Sequence, residues 1–457
     1  MSDGATLRRW GPFVAAEPVD IEKRLAEPRT YEDSIMRIFA KRRQRGLAFS
    51  EAGGGVTYFS TATERRALSK AIAHSVASGQ YRPQPVDLRF REYNGKCRAV
   101  HLPTFVDHVV GSALFQLLSH NARCRGLPGV YSYLPGLTNV AATRALAAFV
   151  RAHRRRVGAK GPPIYVLQSD FQHYGDDLPV GPDAALWPIL REVATLGNPH
   201  GALGAEVWDL ITSLARPVVR DQDGAQFTRL YGTAMGTPLV PMLGNLAVLP
   251  MDAAIVAIDG IFYARYNDDF IVAHPDLGAL HQADARIDAL LDGLGVKRKP
   301  AKEFRTALGG NGLSCAVDPA YRGRDRIDCL GLSVSHAGTI ALAPHRLRRF
   351  VGRIATRIDA ASSALAPLPA AERARHLVLT TNVMLDVTSP FAVPGLSGLL
   401  DTTTNRGVLK DLDFRIARKI VQVATGRPGV RGFRVLPPAV LRRDMGLVSL
   451  VHLRNLR

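Results

Sequence analysis

Three aspartates stand where short apolar runs end, and carboxylates in such positions can hold divalent cations. Asp268 and Asp269 are adjacent in the run 261–273, where tyrosine, phenylalanine, isoleucine and valine flank Asn267 and Asp268. This composition predicts two strands joined by a tight turn with both carboxylates at its tip. Adjacent carboxylates repel each other unless a cation neutralises them. The pattern therefore indicates a divalent-metal site, although aspartates are also common in turns that carry out no chemistry.

A third aspartate, Asp170, ends a second strand-forming run, 164–171. This third aspartate matters because the string Tyr-x-Asp-Asp, found here at 266–269, arises by chance in roughly one chain of this length in thirty. Carboxylates from two separate strands are what two-metal phosphoryl transfer needs, with ions about 3.5–4 Å apart. We expect Asp170 and Asp268 to bridge both ions. One ion would activate an attacking 3′ hydroxyl, and the other would stabilise the departing pyrophosphate.

The order of the motifs resembles the palm of reverse transcriptases. The strand ending in Asp170 is followed by Gly-x-Pro-x-x-Pro-x-x-x-Asn at 236–245 and then by Tyr266-Asn-Asp-Asp269. Downstream, 294–302 looks like the family's segment that ends in a lysine near the triphosphate. Residues 327–334, with the turn 336–339, resemble its Leu-Gly hairpin at the primer end. The resemblance runs from about Arg89 to Pro344 and implies an RNA-directed DNA polymerase.

The resemblance also implies a set of site residues. Two Mg²⁺ ions, with Mn²⁺ as an alternative, would be held by Asp170, Phe171, Asp268 and Asp269. The catalytic residues would be the three aspartates and Lys302. The nucleotide-binding residues would be Lys96, Arg98, Phe171, Tyr174, Met235 and Gly236.

Lys96 and Arg98 lie in a segment, 88–100, that has an independent structural signal. Asn94-Gly95 stands between two alternating runs, which is a strong hairpin signature. Arginine and lysine side chains on such a hairpin suit a triphosphate, as in the fingers of reverse transcriptases. The competing interpretation is an edge hairpin whose charges deter aggregation.

Two positions depart from the family pattern. Met235 replaces a glutamine whose amide normally touches the sugar of the nucleotide, and Gly175 falls where an aromatic ring normally excludes a 2′ hydroxyl. Either the sugar gate is open at Gly175 or the adjacent Tyr174 serves as the gate. No endonuclease signature follows the palm motifs. The pattern is most similar to stand-alone bacterial reverse transcriptases of the defence-associated or abortive-infection type.

The composition agrees with a nucleic-acid partner. Lys and Arg total 59 against 40 acids, a net charge of +19, as expected of a protein that binds a polyanion. The four cysteines form no Cys-x-x-Cys pair, so no zinc ribbon or disulfide framework is indicated. We expect a cytoplasmic protein without a secretion signal or transmembrane helix.

The predicted fold is α+β: a right-hand polymerase with fingers and palm, built of an antiparallel sheet plus helices, and an α-helical thumb. Four domains are predicted: an N-terminal helical extension (1–85), fingers and palm (86–344), the thumb (345–427) and a basic C-terminal tail (428–457). Within them, 151–160 reads as a basic loop and 387–406 as a loop. A basic cluster at 41–45 is either a nucleic-acid contact or a solvated face, and the second is slightly favoured.

Several functions remain open at this stage. The leading one is RNA-templated DNA synthesis in anti-phage defence. Its partners would be an RNA template, a DNA primer and dNTPs, and a dedicated non-coding RNA would supply the template. No membrane partner is expected. The alternatives are template-independent or protein-primed synthesis of the abortive-infection type, a group II intron-like reverse transcriptase, and a non-catalytic nucleic-acid-binding protein. The sequence does not indicate an oligomeric state.

Overall fold

The chain combines α-helices with mainly antiparallel strands, so the mixed α+β prediction is confirmed. The computed structural model describes residues 17–53, 55–93, 95–309 and 318–456. The chain divides into two compact units: residues up to Ala142 with Tyr165–Arg305, and Thr143–Ile164 with Thr306–Arg457. The assignment of fingers, palm and thumb and the four domain boundaries remain predictions.

The sheet that carries the acidic residues belongs to the first unit. Strand β5 (Ile164–Gln172), whose first residue lies at the boundary between the units, pairs antiparallel with β9 (Asp269–His274). Strand β8 (Phe262–Tyr266) pairs antiparallel with β9, and β10 (Lys297–Arg298) pairs antiparallel with the end of β5. Apolar side chains are buried along β5, β8 and β9, as expected for strands covered on both faces. The predicted hairpin at 261–273 is confirmed.

A second sheet of the first unit contains the predicted Asn-Gly hairpin. Strands β3 (Val86–Tyr93) and β4 (Lys96–Leu102) pair antiparallel in full register. Asn94 lies outside the described residues, and Gly95 has a φ of +71°, which a glycine adopts without steric cost. The hairpin prediction is confirmed. Two short strands extend this sheet beyond β3: β6 (Val219–Arg220) and β7 (Gln226–Phe227).

Helices account for most of the rest of the first unit. The N-terminal region is mainly helical, as predicted, but a short antiparallel pair, β1 (Glu51–Gly53) and β2 (Val56–Thr57), interrupts it. The helices are α1 (Ile21–Leu25), α2 (Pro28–Gln44), α3 (Tyr58–Thr63), α4 (Arg65–Ala77), α5 (Phe105–Arg125), α7 (Tyr174–Asp177), α8 (Leu186–Thr195), α9 (Ala205–Ala215), α10 (Val240–Ala247), α11 (Leu249–Val256) and α12 (Leu277–Leu294). Helix α6 (Asn139–Val157) begins in this unit and continues in the second.

The second unit contains a three-stranded meander and a group of helices. Strand β11 (Phe304–Leu308), where the chain enters this unit, pairs in parallel with β12 (Arg322–Arg324). The predicted Leu-Gly hairpin is confirmed, because Leu330 and Gly331 form the turn between the first two strands of the meander. The meander consists of β13 (Arg326–Cys329), β14 (Leu332–Ser335) and β15 (Ile340–Leu342). The helices are α13 (Pro344–Ser362), α14 (Ala370–Leu385), α15 (Leu396–Thr402), α16 (Arg406–Thr425), α17 (Pro438–Arg443) and α18 (Leu450–Asn455).

The predicted basic loop at 151–160 is wrong over residues 151–157, because α6 extends to Val157. Arg154 in this part of the helix has a structural role. Its guanidinium is buried and donates hydrogen bonds to the carbonyls of Gly161, Pro162, Leu308 and His336. Buried polar groups of this kind are stable when hydrogen-bonded, so Arg154 is part of the core of the second unit.

Two further segments are more ordered than the sequence predicts. The segment 387–406 contains α15, whose leucines Leu396, Leu399 and Leu400 are buried. The C-terminal segment folds back through α17 and α18, and Asp413 of α16 accepts hydrogen bonds from Ser449 and from the backbone of Leu450. None of the described helices is long and apolar enough to cross a bilayer.

Candidate active site

Three carboxylates meet at one end of the β5–β8–β9 sheet. Asp170 of β5 lies directly opposite Asp269 of β9 in the antiparallel register. Asp268 occupies the two-residue turn that joins β8 to β9. Carboxylate oxygens of the three residues lie within 4.8 Å of one another. The two strands therefore bring together acids that are nearly a hundred residues apart in the chain.

The turn itself is held in a defined conformation. Asn267, its first residue, has a φ of +61°, which asparagine tolerates better than most residues. Its side-chain amide donates to the Asp268 carboxylate at 2.9 Å. The backbone N–H of Phe171 donates to the Asp268 carbonyl at 3.1 Å. The carboxylate of Asp268 is thus positioned from its own turn and from the neighbouring strand.

Burial and the neighbouring carboxylates change the ionisation of Asp269. Burial raises the pKa of Asp269 to about 7, and a hydrogen bond with Asp170 together with the charges of Asp268 and Asp170 adds to this rise. Lys302 opposes the rise, because its ammonium group forms an ion pair with Asp170. The donor set consists only of carboxylate oxygens, which hard divalent cations such as Mg²⁺ prefer. In the described part of the chain, this is the one cluster of three side chains that could hold a metal ion.

Lys302 reaches the cluster because its segment is attached at several points. After β10, the backbone N–H of Lys299 donates to the carbonyl of Asp170 at 2.8 Å, and a 3₁₀ turn, Pro300–Lys302, follows. Arg298 binds Asp284 of α12 at 2.6 Å, and Arg305 binds the same carboxylate at 2.7 Å. The segment that carries Lys302 is therefore fixed to α12 on both sides of the lysine.

A fully buried arginine lies directly beneath the turn. Arg265 of β8 forms a two-pronged ion pair with Asp252 of α11, with N–O distances of 2.8 and 2.6 Å. The same guanidinium donates to the backbone carbonyls of Asn267, at 3.1 Å, and of Asn245, at 3.0 Å. Both members of the ion pair are completely inaccessible to solvent. The side chain of Arg265 therefore joins the turn that carries Asp268 to α10 and α11.

Ser132 completes this network from the opposite side. Its hydroxyl accepts a hydrogen bond from the backbone N–H of Asn267 at 2.9 Å and donates to the Asn245 side chain at 2.9 Å. The amide of Asn245 donates back to the Ser132 carbonyl at 2.8 Å. Next to it, the ring of Tyr133 stacks on Tyr266 with centroids 6.4 Å apart. Both backbone polar groups of Asn267 are thus hydrogen-bonded.

Sequence reasoning did not identify Arg265, Asp252 or Ser132. A signal for the first two was present, because Arg265 stands in an apolar strand and Asp252 in an apolar helix. Isolated opposite charges in two apolar elements indicate a buried pair, since single buried charges are strongly disfavoured. Ser132 had no such signal.

The predicted nucleotide-binding residues of the glycine-rich segment lie around Gly175. A Cβ atom added to Gly175 would lie 2.9 Å from the sulphur of Met235, so the methionine covers this position. The carbonyl of Met235 accepts hydrogen bonds from the backbone and ring of His101. Gly236 has a φ of +113° and leaves no room for a side chain beside the His101 carbonyl. The segment is therefore packed against β4.

Tyr174 and Phe171 are both buried. The Tyr174 side chain is only 8% exposed, and its hydroxyl donates to the carbonyl of Gly244. Its ring contacts the ring of Phe171 with centroids 4.9 Å apart, and Phe171 in turn contacts Phe270. Tyr174 thus belongs to the apolar layer beneath the cluster in this structure.

The β3–β4 hairpin carries the remaining predicted residues. The side chain of Lys96 lies outside the described residues. Arg98 is exposed and lies directly opposite Arg91 in the strand register. Like charges opposite each other across a strand pair are destabilising. An anion between Arg91 and Arg98 would relieve this repulsion.

No family model and no curated protein matches the chain. Among solved structures it is similar to the truncated apo telomerase of Candida tropicalis, with a TM-score of 0.43 and 13% identity over 57% of this chain and 56% of the telomerase. For the Candida albicans telomerase in complex with a TWJ fragment of telomeric RNA, the TM-score is 0.45 and the identity 12%, over 82% of this chain and 60% of the telomerase. For the apo Candida tropicalis telomerase, the TM-score is 0.43 and the identity 12%, over 80% of this chain and 62% of the telomerase. The chain spans less than two thirds of each neighbour, and likeness of this degree carries no argument about function.

Loss of the Arg265 link to Asn267 is expected to weaken metal binding more than it weakens the fold. Arg265→Met alone leaves the Asp252 carboxylate buried without a cationic partner and should cost about 3–5 kcal/mol of folding stability. The informative comparison therefore starts from Tyr263→Phe, which removes only a 2.6 Å hydrogen bond to Asp252. Adding Asp252→Leu and Arg265→Met to that variant exchanges the ion pair for apolar side chains.

In this comparison, Mn²⁺ binding is measured by electron paramagnetic resonance and stability by thermal unfolding. We expect the Tyr263→Phe protein to bind Mn²⁺ like the wild type, and the triple variant to bind it about 10- to 100-fold more weakly, as is typical when partners of metal ligands are removed. Wild-type affinity in a folded triple variant would show that Arg265 does not position the turn.

Proposed function

We propose that this protein is a reverse transcriptase, an RNA-templated DNA polymerase that uses Asp170, Asp268 and Asp269 to hold two Mg²⁺ ions, with Mn²⁺ as an alternative. The observation that carries the proposal is the convergence of these three carboxylates beside Lys302 at the end of β5 and β9. The order of the surrounding motifs, which resembles the reverse transcriptase palm, supports it. Fingers and palm would lie within 86–344 and the thumb within 345–427.

Each residue of the site has a role in this proposal. Bound divalent cations would supply activation of the primer 3′ hydroxyl and stabilisation of the pyrophosphate leaving group. Asp170, Asp268 and Asp269, together with the Phe171 carbonyl, would hold the cations. Lys302 holds its ammonium group beside Asp170, where an incoming triphosphate would meet it.

The β3–β4 hairpin would bind the triphosphate from another side. Arg98 and Arg91 present two guanidinium groups that have no carboxylate partner in the described residues. Guanidinium groups bind phosphate oxygens in pairs, so this arrangement suits a triphosphate better than a single phosphate. Lys96 would add a further positive charge, and Met235, Gly236 and Tyr174 would lie around the sugar. The nucleic-acid partners would be an RNA template, from a dedicated non-coding RNA in the defence setting, and a DNA primer.

On the basis of the resemblance to stand-alone bacterial enzymes, we propose that this activity serves anti-phage defence in the cytoplasm. Template-independent and protein-primed synthesis would use the same carboxylates. Purified protein with dNTPs and Mg²⁺, supplied with RNA, with DNA or with no template, tests the proposal. A product complementary to the RNA supports reverse transcription, whereas product of unrelated sequence without template supports untemplated synthesis.

Asp268→Ala is expected to abolish synthesis while leaving nucleic-acid affinity nearly unchanged. The reason is that the carboxylate acts on charge that develops in the transition state, whereas affinity for nucleic acid comes mainly from lysine and arginine contacts to phosphates. Asp259→Ala is a matched control, since Asp259 is exposed and precedes the same hairpin without joining the cluster. Primer extension and filter binding measure the two properties. Synthesis by Asp268→Ala at the rate of the control would refute the metal assignment.

Arg98→Ala is expected to raise the KM for dNTPs without weakening template binding. Hydrogen bonds to charged groups contribute about 1.5–3 kcal/mol, which corresponds to a rise of roughly 10- to 150-fold. Arg66→Ala, at an exposed arginine of α4, serves as the control for loss of one positive charge. Steady-state kinetics over a range of dNTP concentrations measures the effect. A change confined to template dissociation would contradict the role of the hairpin.

Discrimination against ribonucleotides is expected to be weak. Met235 rather than an aromatic ring covers Gly175, and the Tyr174 hydroxyl is already bound to the Gly244 carbonyl. Differences in packing alone give only about 1–3 kcal/mol, or roughly 10- to 200-fold. Tyr174→Phe should leave this ratio unchanged. Strong rejection by the wild type that collapses in Tyr174→Ala would identify Tyr174 as the gate instead, and the measurement is incorporation of a deoxynucleotide against its ribonucleotide partner.

A further inference from the structure

Two exposed phenylalanines and a half-buried third form an aromatic surface in the N-terminal region. Phe49 is 74% exposed and Phe59 is 48% exposed, and their rings lie 5.1 Å apart. Phe39 contacts Phe59 edge to face at 6.4 Å. We refer to Phe39, Phe49 and Phe59 as the phenylalanine platform. Large aromatic side chains on a surface usually mark a binding site, because burying them releases water from apolar area.

The local chain conformation keeps the platform in place. Leu47 donates its backbone N–H to the carbonyl of Arg42, which reverses the chain after α2. Thr57 caps α3 in a reciprocal capping box with Ser60. Phe59 therefore stands on the first turn of a capped helix, and Phe49 stands in the connection that leads into β1. The platform is presented by defined backbone on both sides.

Positive charge predominates in the segment that carries the platform. Five cations lie between residues 36 and 59, against the single acid Glu51. The guanidinium of Arg43 lies 5.9 Å from the ring centre of Phe39, and that of Arg42 lies 4.7 Å from the ring centre of Tyr58. Glu51 already accepts a hydrogen bond from the backbone of Gly55. The five cations are Arg37, Lys41, Arg42, Arg43 and Arg45, and no ion pair links them to a carboxylate in the described residues.

We propose that the phenylalanine platform and its cations bind single-stranded nucleic acid, with bases stacked on Phe49 and Phe59 and phosphates held by Arg43 and Arg45. Stacking platforms beside basic side chains are how proteins bind single strands irrespective of sequence. The elements involved, α2, β1, β2 and α3, contribute no residue to the carboxylate cluster. The proposal rests on and extends the proposed function, since it gives the enzyme a second binding site for its template or product.

Binding to the full-length protein is measured by fluorescence anisotropy with a short labelled oligouridylate, in EDTA and without dNTPs. A short oligodeoxythymidylate in parallel separates RNA from DNA preference. Under these conditions neither the metal site nor synthesis contributes to the signal. Failure of the polymerase assay would therefore leave this test intact, and failure of this test would leave the polymerase assignment intact.

Phe49→Ala and Phe59→Ala are expected to weaken binding of the single strand about 5- to 150-fold at every salt concentration, because each removes one stacked base. Phe391→Ala, at a 65% exposed phenylalanine of the other unit, is the matched control and should bind like the wild type. Arg43→Gln and Arg45→Gln should each reduce the slope of log affinity against log salt by about 0.7, the value for one phosphate contact on a single strand.

A 5-iodouridine probe should also cross-link to peptides that contain Phe49 or Phe59. The proposal is wrong if the platform variants bind like the wild type, or if Phe391→Ala weakens binding as much as they do. It is also wrong if the variants lose duplex affinity to the same extent, since a duplex cannot stack its bases on the platform. A wild-type dimer that Phe49→Ala converts to monomer, without any change in oligonucleotide affinity, would assign the platform to self-association instead.

Discussion

The buried pair of Arg265 and Asp252 is the interaction on which the geometry of the acidic cluster depends. Three carboxylates within 4.8 Å repel one another, so the turn that carries Asp268 needs an attachment that the repulsion cannot displace. Burying two charges costs several kcal/mol for each ion, and apolar side chains of similar size often give equal or greater stability. An apolar pair, however, has no donors for the carbonyls of Asn267 and Asn245. The guanidinium fork joins a strand, a turn and two helices at once, which explains why a charge is placed in the core.

Lys302 provides the second constraint, because its side chain, and not a bound ion, places a positive charge beside the cluster. Its ammonium group pairs with Asp170, and this pairing raises the pKa of Lys302, while the charge of the lysine limits the rise in the pKa of Asp269. The lysine can occupy this place because Arg298 and Arg305 attach its segment to Asp284. A divalent cation that binds Asp170 would therefore compete with an ammonium group already present. In the proposed function, Lys302 would then be released to bind the triphosphate.

The sequence predicts those parts of the structure whose signals are local. The hairpin at Asp268 and the Asn-Gly hairpin each follow from strand-forming residues around a residue that tolerates positive φ. The Leu-Gly hairpin was inferred from the family resemblance. The meeting of Asp170 with Asp268 was inferred from two separate runs and the order of motifs. The partners of Asn267 could not be found in this way, because Ser132 lies far away in the chain and carries no charge or pattern. Arg154 was misjudged for a related reason: its buried role depends on the carbonyls of Leu308 and His336, which lie 154 and 182 residues later in the chain.

Some of the cationic side chains are bonded inside the units and others are exposed, so the net charge of +19 alone does not locate a binding surface. Arg265, Arg154, Arg298 and Arg305 are engaged with carboxylates or carbonyls inside the units. These side chains would contribute little to polyanion affinity, because their donors are already bonded. The cations without carboxylate partners in the described residues include the Arg91–Arg98 pair and the group around the phenylalanine platform. Electrostatic attraction of a polyanion is therefore expected at these surfaces, where phosphates would meet guanidinium groups that no carboxylate neutralises in the described residues.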